Sequence, residues 1–257
     1  MIKVIAIGNS FSVDAVEYLR DIAAAGGVDM LVGNLYIGGC SLKTHWNNAC
    51  SDAKAYIYYR FDKNTREEAS DVSIREALES EEWDIVTMQQ ASYDSGVYGT
   101  YEPYLSNLSR YVRNIRPMAE QVIHQTWAYE IDSDHEGFLN YNKDQLIMFN
   151  ALKDAYSKAA KSLGARIIPC GEAIQKARAS HLFDYANGGK SLCRDGFHAS
   201  IPQGRYLLGA VWYEFLTGKS ILENPFVPYD ENTSSSPTLE ELAVLKQCAH
   251  EAVLQYR

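Results

Sequence analysis

Short runs of nearly continuous apolar residues recur along the chain at 3–8, 30–38, 84–89, 121–126 and 166–169. Each has the length of a strand rather than a helix, and Val and Ile are frequent in them. The lack of polar alternation is what strands covered on both faces show. Between and after these runs, apolar positions return every three or four residues. That period predicts helices over 13–25, 73–79, 103–116, 144–163, 172–179, 203–217 and 239–255. The last of these follows Ser236-Pro237-Thr238, which suits a capped helix entry.

Strand and helix in alternation imply βαβ units with right-handed crossovers. The expected fold is α/β, a flavodoxin-like three-layer α/β/α arrangement with a five-stranded parallel sheet. Two segments break the alternation. Residues 40–71 carry the aromatic cluster Tyr56-Ile57-Tyr58-Tyr59-Arg60-Phe61 and a turn-like Asp62-Lys63-Asn64, which reads as a small inserted hairpin. Residues 127–142 are polar and aromatic without a period, which reads as a long surface loop of the kind that forms lids. The stretch Thr233-Ser234-Ser235-Ser236 reads as a surface loop, and no internal repeat is present.

Composition narrows this picture only a little. At 257 residues the chain suits a single α/β domain, 1–257, able to bury a core without staples. A formal net charge of −9 argues against nucleic acid or an anionic membrane as the main partner. No apolar run approaches the ~18 residues of a transmembrane helix. The apolar stretch after Met1 is too short for a signal-peptide core. Cys40, Cys50, Cys170, Cys193 and Cys248 are odd in number and lack a Cys-x-x-Cys spacing, so reduced thiols are expected. These features suggest a cytoplasmic protein, or a secreted one if a leader has been removed.

In an open parallel sheet, ligands bind beyond the carboxyl ends of the strands. At those ends stand Gly8-Asn9-Ser10-Phe11-Ser12, Gly38-Gly39-Cys40-Ser41-Leu42, Gln89-Gln90-Ala91-Ser92 and Thr126-Trp127-Ala128-Tyr129. After the fifth strand and its helix comes Cys193-Arg194-Asp195-Gly196-Phe197-His198. A serine hydroxyl needs a neighbouring base to become a nucleophile, and a histidine base works best when a carboxylate holds its other nitrogen. The spacing of Asp195 and His198 allows such a local pair. Oxyanion donors would be the backbone N–H of Ser10, that of Gly39, and the side-chain amide of Gln89 or Gln90.

These segments resemble the blocks of the SGNH (GDSL-like) hydrolases. Gly8-Asn9-Ser10-Phe11-Ser12 is similar to the first block, which presents the nucleophile. Asn34-Leu35-Tyr36-Ile37-Gly38-Gly39 is similar to the second, whose oxyanion glycine falls on Gly39. Asp195-Gly196-Phe197-His198 matches the Asp-x-x-His block. The third block departs from the family pattern, because Tyr93 stands where its asparagine would fall. The Gly-Gly-x-Ser and Gln-Gln-x-Ser variants resemble a branch of that superfamily. The resemblance spans roughly residues 3–216 and implies a serine esterase acting through an acyl-Ser10 intermediate. It further implies short acyl groups, acetyl above all, removed from carbohydrate substrates, with no cofactor.

Each residue has a plainer reading. Ser10 can be a helix cap, His198 a core or surface histidine, and Gly38 and Gly39 mere turn residues. Asn9, Trp127 and His45 are candidate substrate contacts, His45 with a surface-loop alternative. Trp127, Tyr129 and the 56–61 cluster suit either a sugar-stacking wall or packing of hairpin and lid. A metal site is not indicated, the Gly-x-Ser-x-Gly elbow is missing, and the Gly-Lys-Ser segments at 189–191 and 218–220 lack the upstream glycine of a phosphate loop. Two rival readings remain: a non-catalytic carbohydrate-binding protein, and a flavodoxin-like phosphate or nucleotide binder that uses the 9–12 turn as an anion cradle.

Overall fold

The structure is a computed structural model that describes residues 1–62 and 65–257. It contains β1 (Ile2–Gly8), α1 (Ser10–Val16), α2 (Leu19–Ala25), β2 (Met30–Tyr36), α3 (Leu42–Ser51), β3 (Tyr56–Phe61), β4 (Arg66–Val72) and α4 (Ile74–Glu79). There follow β5 (Ile85–Met88), α5 (Tyr104–Ile115), β6 (Glu120–His124), α6 (Gln145–Leu163), β7 (Arg166–Ile168), α7 (Cys170–Arg178), α8 (Gln203–Thr217) and α9 (Leu239–Gln255). All strands form one sheet in the order β4-β3-β2-β1-β5-β6-β7.

The five predicted strands are β2, β1, β5, β6 and β7, and they pair in parallel. The sheet as a whole is nonetheless seven-stranded and mixed. The hairpin expected as a separate insertion adds β3 antiparallel to β2, and β4 antiparallel to β3. Its strands read poorly from sequence because β4, Arg-Glu-Glu-Ala-Ser-Asp-Val, is exposed along almost its whole length. Lys63 and Asn64 of the expected turn lie outside the described residues. The first part of the 40–71 segment is not hairpin but helix: α3 is capped by Ser41, whose hydroxyl accepts from the Thr44 N–H at 3.2 Å.

Helices cover both faces of the sheet. One group packs α1 and α2 with α8, and α8 in turn against α7 and α9; the other packs α3, α4 and α6 around α5. α8 is apolar nearly all round, with Tyr206, Leu207, Leu208, Val211 and Trp212 fully enclosed, as a central helix must be. The helix predicted over 13–25 is broken in two at Glu17 and Tyr18. The break faces α8 at Gly209, where an added Cβ would lie 3.6 Å from the Leu19 nitrogen. Ser73 and Thr238 each form a reciprocal capping box at the start of α4 and α9.

The 127–142 segment differs most from expectation. Trp127, Ala128, Tyr129, Glu130, Phe138 and Tyr141 are all buried, and residues 136–141 form a short 3₁₀ turn. It is a surface loop anchored by these buried side chains, with Ile131, Asp132, Asp134, Glu136, Leu139, Asn140 and Asn142 left exposed. Four cysteines are buried and Cys50 is exposed, all free.

Candidate active site

The parallel strands change winding direction at β1, between β2 and β5, so the crevice beyond its carboxyl end is the expected ligand position. Asn9 leaves β1 in an extended conformation and caps α1, its Oδ1 accepting from the Phe11 N–H at 3.0 Å. The cap is therefore Asn9, and Ser10 is the first helical residue, whose N–H has no partner within the helix. The turn is tight enough that a Cβ on Gly8 would meet Ser12 Oγ.

His198 reaches this turn from the loop between α7 and α8. Its Nε2 is 2.8 Å from Ser10 Oγ, and its Nδ1 is 2.7 Å from Asp195 Oδ2. Asp195 Oδ1 also accepts from the backbone N–H groups of Phe197 at 3.2 Å and His198 at 2.8 Å. Partial burial works against ionisation of Asp195, but the bonds from His198 and the two amides outweigh it and hold the carboxyl below the usual range. A hydroxyl bonded to an imidazole, itself bonded to a carboxylate, is the arrangement that makes serine nucleophilic.

Gly39 lies in the turn after β2 with φ +62, a conformation that favours glycine. Asn9 Nδ2 donates to the carbonyl of Cys40 at 3.1 Å and so ties that turn to the Ser10 turn. Neither glutamine comes forward as an oxyanion donor. Gln90 is fully buried: its amide nitrogen donates to the Thr100 carbonyl and hydroxyl, and its oxygen accepts from the Leu42 and Ala91 N–H groups. Gln89 sits behind the site, its nitrogen donating to Asn9 Oδ1 at 2.8 Å and its oxygen 2.5 Å from His124 Nδ1. The physical reason is that each amide is already engaged by buried polar groups: Gln90 satisfies loop backbone, and Gln89 satisfies the buried Asn9 and His124 side chains.

The three residues expected to touch substrate are all buried instead. Asn9 is 1% exposed and spends its side chain on the cap and the Cys40 carbonyl. Trp127 is fully enclosed, stacked on Phe11 at 4.2 Å, and its indole N–H donates to the Phe197 carbonyl at 2.8 Å. His45 is fully enclosed under α3, its Nδ1 2.8 Å from Tyr56 Oη, and burial pushes its pKa down to about 3. Tyr129 is enclosed as well, so no stacking wall forms from Trp127 and Tyr129.

Sequence reading gave no role to three residues. Asp14, on α1, is buried and binds Arg194 and Arg205. Tyr93, half-buried, donates its hydroxyl to the Gly39 carbonyl at 3.2 Å. His135 packs against Phe197 at 4.8 Å and Tyr129 at 4.9 Å. For Tyr93 a signal existed, since it occupies the position of the third-block asparagine. His135 sits in an aperiodic stretch and carried none.

No curated protein matches the sequence. A DUF4886 family protein from Bacteroides uniformis, known as a crystal structure, is 40% identical; the alignment covers 98% of this chain and 95% of that one, with a TM-score of 0.90. A proposed SGNH hydrolase from Slackia heliotrinireducens is 22% identical over 83% of this chain and 97% of that one, TM-score 0.55. A catalytic mutant of Axe2, an acetylxylan esterase from Geobacillus stearothermophilus, is 13% identical over 82% of this chain and 92% of that one, TM-score 0.52. The last two likenesses show that the fold is that of SGNH-type hydrolases. Residues 3–252 match the family described as a domain of unknown function, DUF4886, and the chain belongs to that family.

Proposed function

We propose that this protein is a serine ester hydrolase. The observation that carries the reading is the hydrogen-bonded line from Ser10 Oγ through His198 to Asp195, at 2.8 and 2.7 Å. Ser10 Oγ attacks the ester carbonyl as His198 Nε2 takes its proton. The N–H groups of Ser10 and Gly39 hold the oxyanion. His198 then returns the proton to the alcohol oxygen, the C–O bond breaks, and an acyl-Ser10 remains. Water attacks that ester with His198 again as base, releasing the acid and restoring the serine. Asp195 keeps the imidazole in the tautomer that leaves Nε2 free to accept.

For the finer assignment, we favour a short acyl group carried on a carbohydrate or other polyhydroxylated alcohol. Two features support this. The rim beside His198 is formed by partly exposed Phe197, Tyr93 and His135, surfaces suited to flat, polar-edged ligands. Acidic residues Asp134, Glu136 and Asp195 stand near that rim and disfavour an anionic ester. The acetylxylan esterase in the Geobacillus structure acts on substrates of this class.

The test is hydrolysis of p-nitrophenyl acetate together with fluorophosphonate labelling, read by mass spectrometry, on the wild type and Ser10→Ala. Turnover and a label on Ser10, both lost in the variant, are expected. A folded wild type that neither turns over nor labels sinks the hydrolase reading and leaves a binding protein in its place.

A further inference from the structure

His135 is the one ring at the site whose proton position is fixed by backbone. Its Nδ1 accepts from the Gly137 N–H at 2.9 Å. A ring nitrogen that accepts an amide hydrogen carries none itself, so the neutral ring holds its proton on Nε2. That Nε2–H meets no hydrogen-bond partner among the described residues. The ring is half-buried, edge-on to Phe197 at 4.8 Å and nearly parallel to Tyr93 at 6.4 Å. Phe197 precedes the base, and Tyr93 holds the Gly39 carbonyl. His135 therefore bridges the base side and the oxyanion side.

Its position is stiffly held. A Cβ on Gly137 would fall 2.2 Å from Tyr93 Cβ, and one on Gly196 would fall 2.9 Å from Ser133 Cα. The backbone on either side of His135 is thus in direct contact with both loops of the site. Glu130 N–H adds a 2.7 Å bond to the Gly196 carbonyl, and the Asn140 amide and Tyr141 hydroxyl donate to the Tyr93 carbonyl. Burial, and after it the adjacent His198, lower the His135 pKa below the ordinary histidine value, while Glu136, Asp134 and Asp195 pull it upward. The net shift favours the neutral ring, in keeping with the proton position set by the Gly137 N–H.

We propose that His135 is a substrate-binding residue whose Nε2–H donates to an oxygen on the leaving alcohol, so that the site prefers esters of polyhydroxylated alcohols over alkyl esters. This rests on the ester-hydrolase reading. The alcohol oxygen is where His198 returns the proton, and Phe197 with His135 borders that side. An alkyl group there would leave a fixed N–H without an acceptor, whereas a hydroxyl or ether oxygen satisfies it.

The experiment compares 1-O-acetylglycerol with n-propyl acetate, which share the acyl group and the three-carbon alcohol skeleton and differ in two alcohol hydroxyls. In the wild type, kcat/KM favours the glycerol ester. In His135→Phe that preference falls about tenfold, mainly through KM. His135→Gln, which keeps an amide N–H, stays within about threefold of wild type. Equal preference in wild type and His135→Phe overturns the proposal. So does an equal loss in both variants when thermal melting shows them folded. Failure of the underlying reading looks different: the wild type itself leaves both esters intact and Ser10 unlabelled by fluorophosphonate.

Discussion

Asp14 lies four residues after Ser10 on α1 and holds Arg194 Nη1 with both carboxylate oxygens, at 3.0 and 2.9 Å. It also accepts from Arg205 Nε at 2.8 Å and from the Ala199 N–H at 3.0 Å. One buried carboxylate thus fastens the helix that carries the serine to the turn that carries Asp195 and His198. Removing its charge leaves two guanidinium groups underpaired. Asp14→Asn is expected to lower the urea-unfolding free energy by about 2–3 kcal/mol and to depress turnover at full folding. An unchanged midpoint with unchanged turnover would show that the two loops hold their spacing without it.

The two glycines of the site differ in what they tolerate. At Gly39, φ is +62 but an added Cβ finds only Tyr93 Cε1 at 4.0 Å, so alanine costs backbone strain alone, about 1 kcal/mol. At Gly196, φ is +84 and the Cβ would also collide with Ser133 backbone at 2.9 Å. Gly196→Ala should therefore shift the Asp195–His198 turn and lower both the melting temperature and fluorophosphonate labelling far more than Gly39→Ala lowers the melting temperature. Comparable melting temperatures for the two variants would contradict this.

Buried His45 and His124 make stability depend on acidity. Burial pushes both down to about 3, below the ~6.5 of an unfolded histidine. The unfolded chain binds more protons between those values, so stability rises with pH from about 3 to 6.5 and is lost as pH falls through that window. Two such groups contribute a slope of up to about 2.7 kcal/mol per pH unit. Urea midpoints at pH 4, 5 and 6 measure it; His124→Gln should bring the slope down by about half.

Asp195 acts lower on the scale. Its folded value is depressed, so its contribution is present above the ordinary aspartate range and disappears only as pH falls below it. Between pH 6 and 5, wild type and Asp195→Asn should lose stability in parallel, with the wild type falling faster only below about pH 4. A divergence that begins at pH 6 would place the carboxyl in another environment.

The brace behind the serine can be tested by a single deletion of polarity. Gln89→Leu strands Asn9 Oδ1 with one donor fewer and leaves His124 Nδ1 without its 2.5 Å partner. The expected cost is about 1–3 kcal/mol, accompanied by slower labelling of Ser10 as the Cys40 turn loosens. A variant with normal labelling would show that the brace serves stability alone.

Much of this architecture is legible in the residues. The five parallel strands declare themselves because burial on both faces forces continuous apolar runs such as Val4-Ile5-Ala6-Ile7. The triplet Ser10, Asp195 and His198 stands out because each residue sits at a strand end or in a short spaced pair. Less legible are contacts decided by partners far along the chain. Gln89 meets Asn9 across 80 residues, and nothing local distinguishes a bracing amide from an oxyanion donor. Trp127 and Tyr129 look exposed because their stretch lacks a period, yet they are drawn inward by Phe11 and Ser92. α3 escapes notice because Leu42, His45 and Ala49 are its only buried positions.

The hairpin has a consequence for self-association. Without it, β2 would be an outer strand, and its sequence Met-Leu-Val-Gly-Asn-Leu-Tyr is a ready template for another chain. With it, the outer strand is β4, whose exposed Arg66, Glu67, Glu68 and Asp71 make any incoming strand desolvate charges. At the far side, β7 is three residues long and its Arg166 is tied to Glu120 at 2.6 Å. Both margins of the sheet are thereby made poor seeds for aggregation, and Glu67→Val with Glu68→Val would convert one of them into a sticky edge.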